Sequence, residues 1–200
     1  MILAEQIVSV LLAAGRSTRF GSDDKLIANF NGLPLVFHAA RLIVELNPAR
    51  RIAVCSPAVG MLLEPLGFEL ILVSDAEQEM SASLALGIKA AGTGAYEAAL
   101  VTLGDMPFVK IQHLQQLLAR WDSRIAPVVG STKHGIPMPP AIFARSEFGD
   151  LCQTTGNRGA RKLLLNAALI EPPPEQLTDV DTIDDLLRLS RATCSDACRA

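Results

Sequence analysis

Ile7-Val8-Ser9-Val10-Leu11-Leu12-Ala13, running on into Ala14-Gly15-Arg16-Ser17-Thr18-Arg19-Phe20-Gly21-Ser22-Asp23-Asp24-Lys25, is the stretch whose reading decides the fold. Its first seven residues are almost wholly apolar, which suits a strand buried on both faces. The rest combines glycines, arginines, hydroxyls and a closing lysine. Glycine lets the main chain approach an anion closely, while Arg and Lys supply charge where phosphate oxygens crowd. The loop therefore reads as a polyphosphate cradle at the carboxyl end of a strand, where open α/β sheets bind ligands. It is not a P-loop, because Gly21 follows Gly15 after five spacers and precedes Ser22 rather than Gly-Lys-Ser/Thr chemistry. It is not the dinucleotide fingerprint either, because Gly15 is followed by Arg16-Ser17. The competing reading is a solvated connection whose glycines only turn the chain.

Working outward, further apolar runs predict strands over 51–55, 70–73, 98–103 and 125–129. They alternate with segments of helical period. Leu35, Val36, Ala39, Leu42, Ile43 and Leu46 predict a crossover helix, with Pro34 suited to its first turn and Asn47-Pro48 to its end. Other helices are expected over 83–91, 111–121, 158–168 and 182–190. The fold class is α/β: a three-layer α/β/α, Rossmann-like single domain around a mostly parallel sheet, spanning 1–191, with a flexible tail over 192–200. The segment 134–140, with three prolines, reads as an active-site loop. The run 172–174 reads as a stiff connector into a last strand and helix.

Half of the 200 residues are hydrophobic and 20% are charged, which is ample for a core. A net charge of -3 gives no basic field for a phosphate backbone, so no nucleic-acid partner is expected. No apolar run approaches the ~20 residues of a membrane span, and Glu5 and Gln6 interrupt any secretory signal, so a cytoplasmic protein without a membrane partner is expected. Cys55 falls in a strand, Cys152 in a helix, and Cys194 and Cys198 in the tail. That spacing is neither a zinc pattern nor a disulfide framework.

The strand over 98–103 ends in Gly104-Asp105-Met106-Pro107, which puts an acid at the same sheet edge as the first loop. A carboxylate there can hold magnesium, which binds through one or two carboxylates plus substrate phosphates. It could instead cap the next helix or turn the chain. A second acid comes from Asp179-Val180-Asp181-Thr182-Ile183-Asp184-Asp185-Leu186, with Asp181 ahead of Asp179 as candidate. Thr182 with Asp185 three residues on reads as a capping box, and Asp184 suits the helix dipole. His134 reads as a surface residue.

Leu12-Ala13-Ala14-Gly15 with Ser17, Arg19, Gly21 and Lys25 resembles the signature of nucleotidyltransferases with the nucleotide-diphospho-sugar transferase fold, and most of all the molybdenum cofactor cytidylyltransferases. The resemblance runs from about Ile7 to Leu189. It implies that Leu12, Ala13, Ala14, Gly15, Ser17 and Gly21 wrap a triphosphate that Arg19 and Lys25 neutralise. It implies that Asp105, beside Gly104, binds magnesium, and that Asp181 is the second ligand; Ile183 departs from the family's proline. Glu79-Met80-Ser81-Ala82-Ser83-Leu84 is similar to the family's G-M-S-x-S-L, with Glu79 replacing glycine, so Ser81 and Ser83 would meet the base unless they are plain helix caps. The segments 135–143 and 156–161 resemble acceptor-pocket elements. Asn157 stands there in place of aspartate, and Arg161 invites an anionic partner.

The activity this implies is attack by an acceptor phosphate on the α-phosphorus of a triphosphate, with pyrophosphate leaving. CTP is favoured because relatives that use GTP tend to carry glycine at the place of Ala14. Molybdopterin would be the acceptor, giving a cytosine dinucleotide for a partner molybdenum hydroxylase. The alternatives are a sugar- or polyol-phosphate nucleotidyltransferase, an NAD(P)H-dependent reductase of the nicotine-blue type, and a catalytically silent chaperone for cofactor insertion. Pyrophosphate release separates the transferases from the other two.

Overall fold

The computed structural model of the chain describes residues 2–15, 20, 24–74, 80–153 and 159–197. Along the chain come β1 (Ile7–Ala13), the short hairpin β2 (Asn29–Phe30) and β3 (Leu33–Pro34), α1 (Leu35–Leu46), β4 (Arg50–Cys55), α2 (Pro57–Leu63), β5 (Glu69–Leu72) and α3 (Met80–Ala91). They are followed by β6 (Ala98–Leu103), α4 (Ile111–Arg120), β7 (Val128–Lys133), β8 (Ile136–Ala144), α5 (Phe148–Gln153), α6 (Gly159–Leu165), β9 (Ala168–Ile170) and α7 (Ile183–Ala197).

Every residue of β1 is buried because it has parallel neighbours on both sides and helices on both faces. Val8, Val10 and Leu12 point into one apolar cluster with Leu84 and Ile88 of α3, Phe148 and Leu151 of α5 and Leu164 of α6. The alternate residues Leu11 and Ala13 pack with α1 and α2, and Ile7 packs with α4. The period of two along a strand thus builds the three layers directly. The sheet order is β5-β4-β1-β6-β8-β7-β9, and only β8 runs against the rest. α1 lies against β1 through Leu35, Val36, Ala39, Ala40 and Ile43, and it stops at Asn47, which adopts φ 53° and returns its N–H to Ile43 O and Val44 O.

β1 and β6 begin and end as their apolar runs predict. The strand expected over 125–129 starts later, at Val128. The Asp122 carboxylate accepts the N–H groups of Arg124 (2.9 Å) and Ile125 (3.0 Å), folding a turn that leaves Ile125 80% exposed. The proline-bearing segment expected to be a loop is a correction: it forms the first part of β8. Prolines are tolerated there because β6 pairs with β8 only over Ala141 to Ala144, so the proline half has β7 on one side alone. The register slips between Gly130 and Ser131, leaving Pro139 and Pro140 out of the ladder. Ser131 Oγ donates to Pro140 O (2.7 Å), and since that uses its proton, the buried His113 Nε2 donates to Ser131 Oγ (2.7 Å).

A second correction concerns the run 172–174. It leads into a 3-10 turn (Pro174–Leu177) and an extended strap to Asp181, and the last strand, β9, comes before it. The helix expected over 158–168 ends at Leu165, β9 begins at the last of its expected residues, Ala168, and α7 runs past the expected Ser190 to Ala197.

α3 reaches β1 at Gly87, where an added Cβ would stand 2.4 Å from Val10 Cγ1. Gly149 in α5 has nothing within 4 Å. Gly87→Ala is expected to lower stability by about 1 kcal/mol or more, since overpacking outweighs the helix-propensity gain. Gly149→Ala is expected to raise it by up to ~1 kcal/mol. Urea denaturation of both variants checks this, and a shift in the same direction for both would contradict the close-approach account.

Candidate functional site

The carboxyl ends of β1 and β6 lie side by side, and Gly104 N donates to Leu12 O at 3.0 Å just beyond β6. A Cβ on Gly104 would meet Val36 Cγ2 at 3.3 Å and Ala13 Cβ at 3.4 Å, so glycine allows the two strand ends this proximity. Phe20 is buried in the cluster that includes Leu26, Phe30 and Val36. The described chain resumes at Asp24 and Lys25 and is tied to α1 by Val36 N donating to Leu26 O (3.0 Å). Asp24 holds this segment in place: its Oδ1 accepts from Leu26 N (3.0 Å) and its Oδ2 from Ser56 Oγ (3.2 Å) at the end of β4.

Lys25 is the hub. Its ammonium donates to Asp105 Oδ2 at 2.7 Å, to Val180 O at 3.0 Å and to Asp181 Oδ1 at 3.3 Å. Burial alone would push its pKa down, but Asp105 first and Asp181 second override this and hold it above 10.5. Asp105 also accepts from Val180 N through its main-chain oxygen (3.0 Å), so the strap is stitched to the end of β6. Leu177 and Val180 are fully buried, and Lys133 Nζ donates to Leu177 O (3.3 Å) and Thr178 Oγ1 (3.2 Å) from the β7–β8 side. Burial, together with the nearby Asp181 and Asp105 charges, raises the pKa of Asp179.

Beside the hub lies a small cleft, with Leu12, Ala14, Gly15 and Leu26 on one side and Met80 and Ser83 of α3 on another. Lys25 and Asp105 line it as well. Ser81 and Ser83 are buried inside the first turn of α3, so neither hydroxyl caps the helix. Ser83 Oγ has no hydrogen-bond partner among the described residues, and neither has the buried Asp105 Oδ1. An orphan carboxylate oxygen next to a second carboxylate is a donor set that suits a hard divalent cation. Asp105 does not cap α4, which begins only at Ile111. No group of three or more metal-ligating side chains occurs among the described residues.

The sequence pattern of the MobA-like NTP transferase domain matches residues 9–171. The chain belongs to this family. Over 201 residues it is 26% identical to the purine catabolism protein PucB of Bacillus subtilis, covering 93% of this chain and 97% of that one. Over 202 residues it is 25% identical to the molybdenum cofactor guanylyltransferase of Methylibium petroleiphilum, covering 94% and 98%. It is 29% identical over 124 residues to the bifunctional protein GlmU of Sphingopyxis alaskensis, a match that takes 62% of this chain but spans only 28% of that protein's length. Among solved structures, a nucleotidyl transferase from Methanothermobacter superposes with a TM-score of 0.80 at 19% identity, covering 96% of this chain and 99% of that one. The Mycobacterium tuberculosis protein Rv0371c, solved with manganese, gives 0.74 at 21% identity, covering 94% and 99%. The single α/β domain has the nucleotide-diphospho-sugar transferase-like fold.

Of the site residues expected from sequence, Leu12, Ala14, Gly15, Lys25, Ser83 and Asp105 line one cleft, Ala13 and Gly104 lie close to each other at the strand ends, and Asp181 is on Lys25. Ser17, Arg19 and Gly21 lie outside the described residues, as do Glu79, Asn157 and the side chain of Arg161. The capping box is present, with Asp185 N donating to Thr182 Oγ1 (3.0 Å) and Thr182 N to Asp185 Oδ2 (3.2 Å). His134 sits exposed in the β7–β8 turn, its N–H on Glu171 Oε1. Cys55 is buried; burial first and Asp24 second push its thiol up to about 11, so it stays protonated at neutral pH. Sequence reasoning missed Asp24, Ser56 and Lys133. Only Asp24, adjacent to Lys25, carried a signal.

Lys25→Met is expected to cost about 2 kcal/mol, because it strands a partly buried carboxylate and a buried carbonyl. The raised pKa sets the sign of the pH dependence: the contribution is complete below the ordinary 10.5 and is lost as pH rises through the higher folded value. The gap between wild type and variant in urea denaturation should be flat over about pH 6 to 9 and narrow only above 10.5.

Proposed function

We propose that this chain transfers a nucleoside monophosphate from a triphosphate, CTP in first place, to the phosphate of molybdopterin, releasing pyrophosphate. The observation that carries the reading is the Lys25–Asp105–Asp181 cluster beside the Ala14–Gly15 turn, in a chain of the MobA-like NTP transferase family. A phosphate monoester is largely ionised at neutral pH, its second pKa lying near ~6, so the acceptor needs no general base. That fits a cleft whose described lining contains no histidine. His113 is buried in its bond to Ser131, and His38 shares a hydrogen bond with Phe30 O.

Lys25 and Arg19 supply positive charge to the triphosphate, and the turn at Ala14 and Gly15, with Gly21 and Ser17, receives its oxygens. Asp105 and Asp181 would hold magnesium; the orphan Asp105 Oδ1 supports this, and so does the manganese bound in Rv0371c. Bound there, the ion supplies charge neutralisation to the phosphates. Ser83, with its unpartnered hydroxyl, and Ser81 are assigned to the nucleotide base. Ala14 lines the cleft, and alanine rather than glycine at this place supports CTP as the triphosphate.

A polyol-phosphate acceptor is the second reading. It is favoured by the 27% identity over 124 residues to 2-C-methyl-D-erythritol 4-phosphate cytidylyltransferase of Dictyoglomus thermophilum, covering 57% of this chain and 51% of that one. A molybdenum hydroxylase is the proposed recipient of the product.

The test is a pyrophosphate-release screen of the four ribonucleoside triphosphates against molybdopterin and polyol or sugar phosphates with magnesium. Release with CTP and molybdopterin is expected, and Asp105→Asn should lower kcat by about 100-fold or more while the unfolding midpoint stays measurable and cooperative. Preference for GTP would overturn the base assignment. No release with any pair, alongside NADH oxidation with a quinonoid acceptor, would overturn the transferase reading.

A further inference from the structure

Two of the oxygens around Lys25 belong to the carboxylates that the proposed metal needs. Lys25 Nζ is 2.7 Å from Asp105 Oδ2 and 3.3 Å from Asp181 Oδ1, so a single ammonium fills the space between the two acids. The lysine side chain is 9% exposed, and in such surroundings charges of like sign repel more strongly than in water. A divalent ion and this ammonium therefore compete for the same pair. Asp105 Oδ1, buried and without a partner among the described residues, is the one oxygen of the pair's first member that the lysine leaves open. Lys25 also lines the cleft shared with Ala14 and Gly15, which gives its ammonium a direction in which to move.

We propose that, before nucleotide arrives, the Lys25 ammonium stands in for the cation between Asp105 and Asp181, so that a divalent ion binds well only together with a triphosphate. The triphosphate supplies the displaced ammonium with new anionic partners in the cleft, and the ion inherits both carboxylates. Lys25 is then a counter-ion that changes partners during binding as well as a phosphate ligand. This rests on the nucleotidyltransferase reading above. It differs from a lysine that merely orients the acids in one direction of effect. An orienting lysine, when removed, weakens metal binding; a competing one strengthens it.

The experiment is a manganese titration of the full chain followed by electron paramagnetic resonance, first without nucleotide. Lys25→Met and Lys25→Gln, two neutral variants that guard against one misfolding, are each expected to bind manganese at least about tenfold more tightly than wild type. Lys25→Arg, which keeps the charge, is expected to bind as weakly as wild type. With an α,β-methylene analogue of CTP present, the advantage of the neutral variants should disappear. Equal or weaker manganese binding in both neutral variants overturns the proposal. Adding Asp105→Asn to Lys25→Met should abolish the tight site. If tight binding survives that change, the metal assignment itself fails; if Asp105→Asn removes manganese from wild type but the neutral variants gain nothing, only the displacement fails.

Discussion

A single ammonium joins three distant parts of this chain. Lys25 lies 80 residues from Asp105 and 155 from Val180, and it contacts both. Burying a lysine is costly unless its charge is answered, and here two carboxylates and a main-chain carbonyl answer it together. The sheet order makes this meeting possible. Because β6 lies directly beside β1, the loops that leave their carboxyl ends emerge next to one another, and Gly104 removes the Cβ that would hold them apart. The reversed β8 contributes too. Its pairing with β6 ends at Val101, so the end of β6 beyond that point is released from the ladder on that side and leads on to Asp105.

The strap before α7 depends on the same contact. It belongs to no strand, and it is held by the two buried side chains of Leu177 and Val180, by Lys133 from below, and by Asp105 and Lys25 at the site. Asp181 thus owes its place to the end of the fold closing over the beginning. Thr182 and Asp185 then start the helix at once, which limits how far the strap can drift from the sheet edge.

How much of this is legible in the sequence depends on whether a feature is written in side chains or in main chain. β1, β6 and α1 are written in apolar periodicity, and Asp105 announces itself by following a buried strand. β8 is hidden because proline ordinarily marks a loop, and its pairing on one side only is a tertiary fact that no local pattern encodes. β9 is three residues long, too short for any period to show. The carbonyl of Val180, a main-chain partner of the Lys25 ammonium, has no residue signature at all. Nothing local marks Lys133, because its partners, Leu177 and Thr178, are more than forty residues further along the chain. At Ser81 and Ser83 the sequence leaves base contact and helix cap both open, and only the register within α3 decides against the caps by burying both side chains, with Ser83 on the cleft.

The charge arithmetic of the hub also bears on why it sits at an open edge rather than in the core. Among the described residues, one ammonium against two carboxylates leaves an excess negative charge, which a closed interior would penalise heavily. At the mouth of a cleft water answers that excess, as the 43% exposure of the Asp181 side chain shows, while Lys25 itself stays enclosed. The arrangement therefore combines a fixed cation with an accessible anionic surface. A polyphosphate alone would meet that surface as a like charge, and a cation alone would meet the lysine. A ligand that brings both signs of charge answers each of the described charges in the cluster, and a metal–triphosphate complex has that character.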